Sequence, residues 1–216
     1  MLGLGVLAGL SLLLALVSRT AGANMQEDAA VAILAAYGIG IFLPLAALML
    51  ATPMLGNVTE DRLLVYLWLK PVPRWHLAVA AFAAVLTPLL PLVVIPLALS
   101  ALIAGFGSLV LPVVGAAVLG ALAYCAIYLL LGARFSWGLW LGLLYLVLWE
   151  NVLTQFSNGI ARLSIRSYAQ TILQRGTEVE IPLAERSEGW SILIPILVAI
   201  VGVALTARTL STRDID

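Results

Sequence analysis

Residues 57–77 read NVTEDRLLVYLWLKPVPRWHL. Long apolar runs flank them, roughly 29–53 before and 76–104 after. The stretch holds the only lysine of the chain, Lys70, the only histidine, His76, and two prolines one residue apart, Pro71 and Pro73. Each flanking run has the length of a bilayer crossing, about 20 apolar residues. The charged stretch therefore separates two crossings, and the architecture follows from what lies on either side of it.

The whole chain has the composition of those flanks. It is 63% hydrophobic and 10% charged, with a mean hydropathy of +1.12. Soluble domains carry about 25% charged residues. A chain this apolar cannot cover itself with polar surface, so lipid is its solvent. The formal net charge is zero, which gives no basic field for nucleic acid. The single cysteine, Cys125, stands in an apolar run and reads as a small buried hydrophobe. One cysteine allows neither an internal disulfide nor a cysteine metal cluster.

Six segments approach bilayer length: about 2–18, 29–53, 76–104, 109–132, 136–156 and 190–207. Each is too long and too continuous for a barrel strand. The fold expected is an all-α polytopic membrane protein, one transmembrane domain over 1–216 with six transmembrane helices. Ala21-Gly22-Ala23 after the first segment fits a small-residue cleavage pattern, but no basic residue precedes Arg19. The first segment is therefore expected to be a retained span. Pro88, Pro91 and Pro96 predict a bent third span, with smaller effects from Pro44 and Pro195.

Orientation is read from lysine and arginine in the short loops. With the N-terminus inside, the cytoplasmic side holds Arg62, Lys70, Arg74, Arg134, Arg208 and Arg213. The outside holds Arg19 and, in the long fifth connection, Arg162, Arg166, Arg175 and Arg186. The short loops favour both termini in the cytoplasm. On this topology the Asn57-Val58-Thr59 sequon faces the cytoplasm and is irrelevant.

Within the opening stretch, Asn57 and Glu60 have the spacing of a capping box. A helix over about 58–70 would align Leu63, Leu64 and Leu67, with Tyr66 nearby. Glu60, Asp61 and Arg62 would occupy its first turn, and Lys70 its last, where a cation suits the helix dipole. Pro71 and Pro73 would stop it, and Arg74-Trp75-His76 would open the next span at headgroup level. The plain reading is an interfacial linker that anchors the bundle. The sharper one is a docking element, stiffened by prolines, that passes movement from a soluble partner into a proline-rich span.

The run TEDRLLVYLWLKPVPRWHLAVAAFAA, 59–84, resembles the segment after the second span of ABC-2 type transporter permeases. Glu60, Leu67, Pro71, Val72, Pro73 and Arg74 match that pattern. Leu63 and Leu64 replace the family's Gly-Thr, and Ala80 and Ala81 stand where it has a lysine. The tail RTLSTRDI, 208–215, is similar to the family's short cytoplasmic ending. The resemblance implies a membrane subunit of an ATP-binding cassette exporter. Residues 58–70 would be its coupling helix, with Glu60, Arg62, Leu63, Leu67, Lys70, Pro71, Pro73 and Arg74 as the ATPase-coupling set. The partners implied are a separate ATPase subunit, in two copies and carrying ATP and Mg, and a second permease chain as homodimer or heterodimer. The outer segment at about 157–188 would include short helices dipping back into the membrane.

This chain has no P-loop of its own, because its only lysine is followed by Pro71. No cofactor, metal or catalytic residue is expected in it. One histidine and one cysteine do not make a zinc site. Glu150, in LYLVLWENVLTQF, is an acidic residue at a span end that is turning polar. It suits a substrate or proton path, or a carboxylate held near the interface by a neighbouring helix or water. Gly5-xxx-Gly9 and Gly138-xxx-Gly142 permit close helix approach. In the fifth connection the mixed charges suggest a solvated cap. LSIRSYAQTILQR there suits an amphipathic helix with Leu163, Ile165, Tyr168, Ile172 and Leu173 toward lipid or the bundle. Two alternatives stand beside the exporter. A gradient-driven carrier would show internal repeats and several intramembrane charges. A non-transporting scaffold would have no ATPase partner and would tolerate changes at Glu60 and Arg74.

Overall fold

The computed structural model describes residues 2–18, 26–60, 73–153, 164–177, 179 and 187–212. Among them there are helices and turns but no strand. In chain order the helices are α1 Leu2–Ser18, α2 Gln26–Ile33, α3 Leu43–Glu60, α4 Arg74–Ala104, α5 Val110–Arg134, α6 Gly138–Leu144, α7 Ile165–Leu173 and α8 Glu188–Thr212. A π-helical segment, Leu34–Phe42, joins α2 to α3, and a second, Tyr145–Leu153, extends α6. Among the described residues, four helical stretches are long and apolar enough to cross a membrane: Gln26–Gly56, Arg74–Ala104, Gly107–Arg134 and Gly189–Thr212. The apolar helices Gly3–Ser18 and Gly138–Glu150 are shorter. The chain thus has the character of an integral membrane protein.

Helix α5 is the hub, touching α3, α4, α6, α7 and α8. It can hold so many neighbours because small residues cover much of its surface: Ala116, Ala117, Gly120, Ala121, Ala123, Ala126, Gly132 and Ala133 are buried. Lipid gives apolar helices no solvent-driven reason to associate, so close backbone approach and dispersion must hold them. The closest approach is at Gly132, where an added Cβ would lie 2.3 Å from the Thr52 carbonyl oxygen of α3. On the opposite side, Gly202 of α8 lies against Ala126, with 2.8 Å left for a Cβ. Gly138 and Gly142 serve the same purpose on α6, against the Leu131–Gly132 backbone and against Leu48 and Tyr128. Among the described residues, a Cβ at Gly5 or Gly9 would meet nothing within 4 Å, so the first of the two glycine pairs makes no close approach there.

Helix α4 continues through Pro88, Pro91 and Pro96 as one α-helix. Its buried residues recur three or four apart, from Ala78 through Ala81, Val85, Leu89, Val93 and Leu97 to Ala101. Pro88 and Pro91 lie on the exposed face, so the missing hydrogen bonds do not disturb the stripe that packs on α5. The turn from α4 to α5 is a Schellman motif: Gly105 has φ 94°, Phe106 N–H donates to Ala101 O at 3.1 Å and Gly105 N–H to Leu102 O at 3.0 Å. At the other end of α5, Phe135 N–H returns to Leu131 O at 3.0 Å, and Arg134 suits the negative end of the helix.

Two expectations are corrected here. Residues 57–60 continue α3, so Asn57 is not the cap of a new helix beginning at Val58. No proline follows Pro53 before Glu60, the helix runs on through Gly56 and Asn57, and extension costs far less than a fresh start. The amphipathic run after Ser164 does form a helix, α7, but it is not part of a solvated cap. Ile165, Ser167, Tyr168, Ala169, Gln170, Thr171, Ile172 and Leu173 are all buried, polar and apolar alike. Polar residues can enter the bundle here because their hydroxyls bond within the helix: Ser167 Oγ donates to Ser164 O and Thr171 Oγ1 to Ser167 O.

Candidate functional site

Two places carry polar chemistry, one at an end of the bundle and one inside it. At the end, Pro73 caps α4 with φ −57° and ψ 132°, as a proline before a helix prefers. Arg74 donates through Nη1 to Leu210 O in the last turn of α8, a cation on unsatisfied carbonyls. Trp75 is exposed and stacks on His76 with ring centroids 3.7 Å apart. A cleft of about 160 Å³ opens nearby, lined by residues that include Thr52, Gly56, Gly132, Phe135 and Ser136. Arg134 and Arg208 lie at this same end, whereas Glu27, Asp28 and Arg175 lie at the other. Of the expected coupling set, Pro73 and Arg74 are placed, and Glu60 ends α3. Arg62, Leu63, Leu67, Lys70 and Pro71 lie outside the described residues.

The second place is Glu150, in the middle of the π-helical segment Tyr145–Leu153 and fully buried. A buried carboxylate must be matched by donors, and four converge on it. Oε1 accepts from Tyr145 Oη at 3.0 Å and from Ile165 N–H at 3.2 Å. Oε2 accepts from Ser164 Oγ at 2.5 Å and from Arg166 N–H at 3.4 Å. Among the described residues, each oxygen thus accepts from two donors.

Three of these donors belong to the start of α7. Ser164 is its N-cap, with the extended φ −84° and ψ 127° of that position, yet its side chain bonds no amide of its own helix. Glu150 supplies the acceptor instead, from a different segment. Its charge meets the positive end of the α7 dipole. Arg166 lies across Gly40 of the first π-helical segment, where a Cβ would come within 2.8 Å of Cζ and 3.0 Å of Nε. Gln170 Nε2 donates to Ala35 O of that segment at 3.2 Å. Helix α7 is thus held between the two π-helical segments. The first of them has its own local cause. Pro44 has no N–H for the Gly40 carbonyl, and Leu43 N–H reaches back to Gly38 O, a five-residue step.

Helix α5 closes the chamber with Tyr124 and Tyr128. Both are fully buried and stacked, centroids 5.9 Å apart. Tyr128 also meets the Tyr145 ring edge-on at 6.4 Å. Neither the Tyr124 nor the Tyr128 hydroxyl has a hydrogen-bond partner among the described residues. The charge of Glu150 reaches Tyr124, Tyr128 and Tyr145, and that of Arg166 reaches Tyr124.

The sequence singled out Glu150 but none of its partners. Tyr124-xxx-Tyr128 in an aliphatic helix was a usable signal, since two aromatics four apart share a face. The glycines of YGIGIF, 37–42, were another. The backbone amides of Ile165 and Arg166 leave no trace in a sequence. Comparison of the chain with known family models, with curated protein sequences and with solved structures finds no match in any of the three.

Proposed function

We propose that this chain is the permease subunit of an ATP-driven exporter, coupled to a separate ATPase that binds ATP and Mg. The observation that carries the reading is the placing of two elements at opposite ends of one helical bundle. The segment leading from α3 to α4, which resembles the ABC-2 coupling region, leaves and rejoins the bundle at the end bearing Arg74, Arg134 and Arg208. The buried helix α7 reaches toward the other end, where Gly176 lies against Pro112 and Thr177 bonds Glu27 at 2.7 Å. An arginine-rich end is the cytoplasmic one by the positive-inside rule. In this reading both termini and residues 58–70 are inside, and α7 is a re-entrant helix entering from outside. In this reading α1 and the α6 segment complete six spans, two permease chains pair around the path, and the coupling set Glu60 to Arg74 rests on the ATPase.

The test is whether a neighbouring gene encodes a P-loop ATPase and whether that ATPase co-purifies with this chain. The double change Glu60→Lys with Leu67→Asp should abolish both co-purification and ATP-driven transport. Retained binding together with full transport would reject the assignment. A gradient-driven carrier is the second reading, favoured by Glu150 inside an irregular helix. It requires transport by the purified chain in proteoliposomes under a proton or sodium gradient without any ATPase.

A further inference from the structure

We propose that Glu150 is a two-position latch: its carboxylate exchanges between the start of α7 and the hydroxyls of Tyr124 and Tyr128 on α5, and the exchange releases α7 from the bundle. The juxtaposition is of one carboxylate with two sets of donors. The first set, Ser164 Oγ and the amides of Ile165 and Arg166, is engaged here. The second set, two buried phenol hydroxyls, is unengaged among the described residues. A buried hydroxyl left without a partner has lost its water and gained nothing in return, so two of them side by side call for a reason. An alternative arrangement in which they are satisfied supplies one.

The backbone offers a way to move between the two. Glu150 sits within a π-helical segment, Tyr145–Leu153. A π turn holds one more residue than an α turn. Returning one such turn to α register rotates the following side chains by about 100° around the helix axis and advances them by about 1.5 Å. Tyr145, bonded to Glu150 and in edge contact with Tyr128, lies between the two donor sets. The ionisable groups around the carboxylate are Tyr145, bonded to it on its own segment, Tyr128 of α5 edge-on to Tyr145, Tyr124 stacked on Tyr128, and on α7 Arg166, whose amide donates to it while its guanidinium lies across Gly40. In the released position the amides of Ile165 and Arg166 lose their acceptor. Loss of a cap loosens the first turn of a short helix most. Helix α7 then has two discrete states whose balance one side chain sets.

The latch is independent of the exporter reading, and its test uses neither ATPase nor cargo. Amide hydrogen exchange of α7 is followed by mass spectrometry on the full chain in lipid nanodiscs. Tyr124→Phe with Tyr128→Phe should slow exchange at Ile165 and Arg166 by about tenfold, because the released carboxylate loses both hydroxyl partners. In a Glu150→Gln background, exchange should be faster than in the parent chain and the two phenylalanines should no longer slow it. Unchanged or faster exchange on removing the two hydroxyls overturns the latch. So does slowing that persists unaltered in the Glu150→Gln background, since it would then come from deleting unpartnered hydroxyls alone. If Glu150→Gln does not fold, Ser164→Ala replaces it by removing one donor of the engaged set: exchange should be faster than in the parent chain and the two phenylalanines should slow it by a larger factor than they do there, and an equal or smaller factor overturns the latch.

Discussion

Two contacts on one face of the fold, Gly132 and the Glu150 chamber, hold neighbouring helices by opposite means. At Gly132, α5 and α3 touch backbone to backbone, with only 2.3 Å to Thr52 O where a side chain would begin. One or two turns away, Tyr124 and Tyr128 of the same helix face a buried carboxylate satisfied by four donors. The first contact tolerates no added atom. The second tolerates no lost one. Dispersion between close backbones has no alternative arrangement to offer, whereas a carboxylate with two available donor sets does. The difference assigns rigidity to the end bearing Arg134 and adaptability to the middle of the bundle.

The comparison breaks most visibly at Gly132. Gly132→Leu should cost about 3 kcal/mol or prevent folding, because backbone atoms cannot step aside as a side chain can. Thermal unfolding in detergent would register it, and an unchanged midpoint would contradict the close approach. Glu150→Ala comes next, at about 2 kcal/mol, from two amides and two hydroxyls left without their acceptor. Its exchange pattern sharpens the contrast: loss of protection should concentrate at the start of α7 and spare α3 and the end of α5 near Gly132. Smallest is Gly9→Ala, whose Cβ meets nothing within 4 Å among the described residues. Its effect should stay within about 0.5 kcal/mol, or favour the helix slightly.

Much of the scaffold was legible in the residues. Continuous apolar runs set the helices, so the expected 76–104 and 109–132 fall within a residue or two of Arg74–Ala104 and Val110–Arg134. Gly105 and Arg134 marked their turns. The interior was less legible. Composition shows that Ser167, Gln170 and Thr171 are polar but not that Ser167 Oγ and Thr171 Oγ1 bond to backbone carbonyls of their own turn and Gln170 Nε2 to Ala35 O. The π-helical segments carry no periodic signature distinct from a long apolar helix, and only Pro44 hinted at the first. Asn57 and Glu60 had the right spacing for a cap, but a helix already running through them prevailed. Glu150 was conspicuous as an intramembrane acid, but its partners lie in Tyr145, in residues 164–166 and on α5, reached only by the folded chain.

The length of α4 has a consequence for the surrounding lipid. Its 31 residues rise about 46 Å, against a hydrocarbon core of about 30 Å. A rod that long must lean or push its ends through the headgroups. Trp75 at its start is exposed, suited to ride at that boundary. Membranes of different thickness would therefore favour different slants of this one helix against its neighbours, which makes acyl-chain length a variable to control whenever the protein is reconstituted.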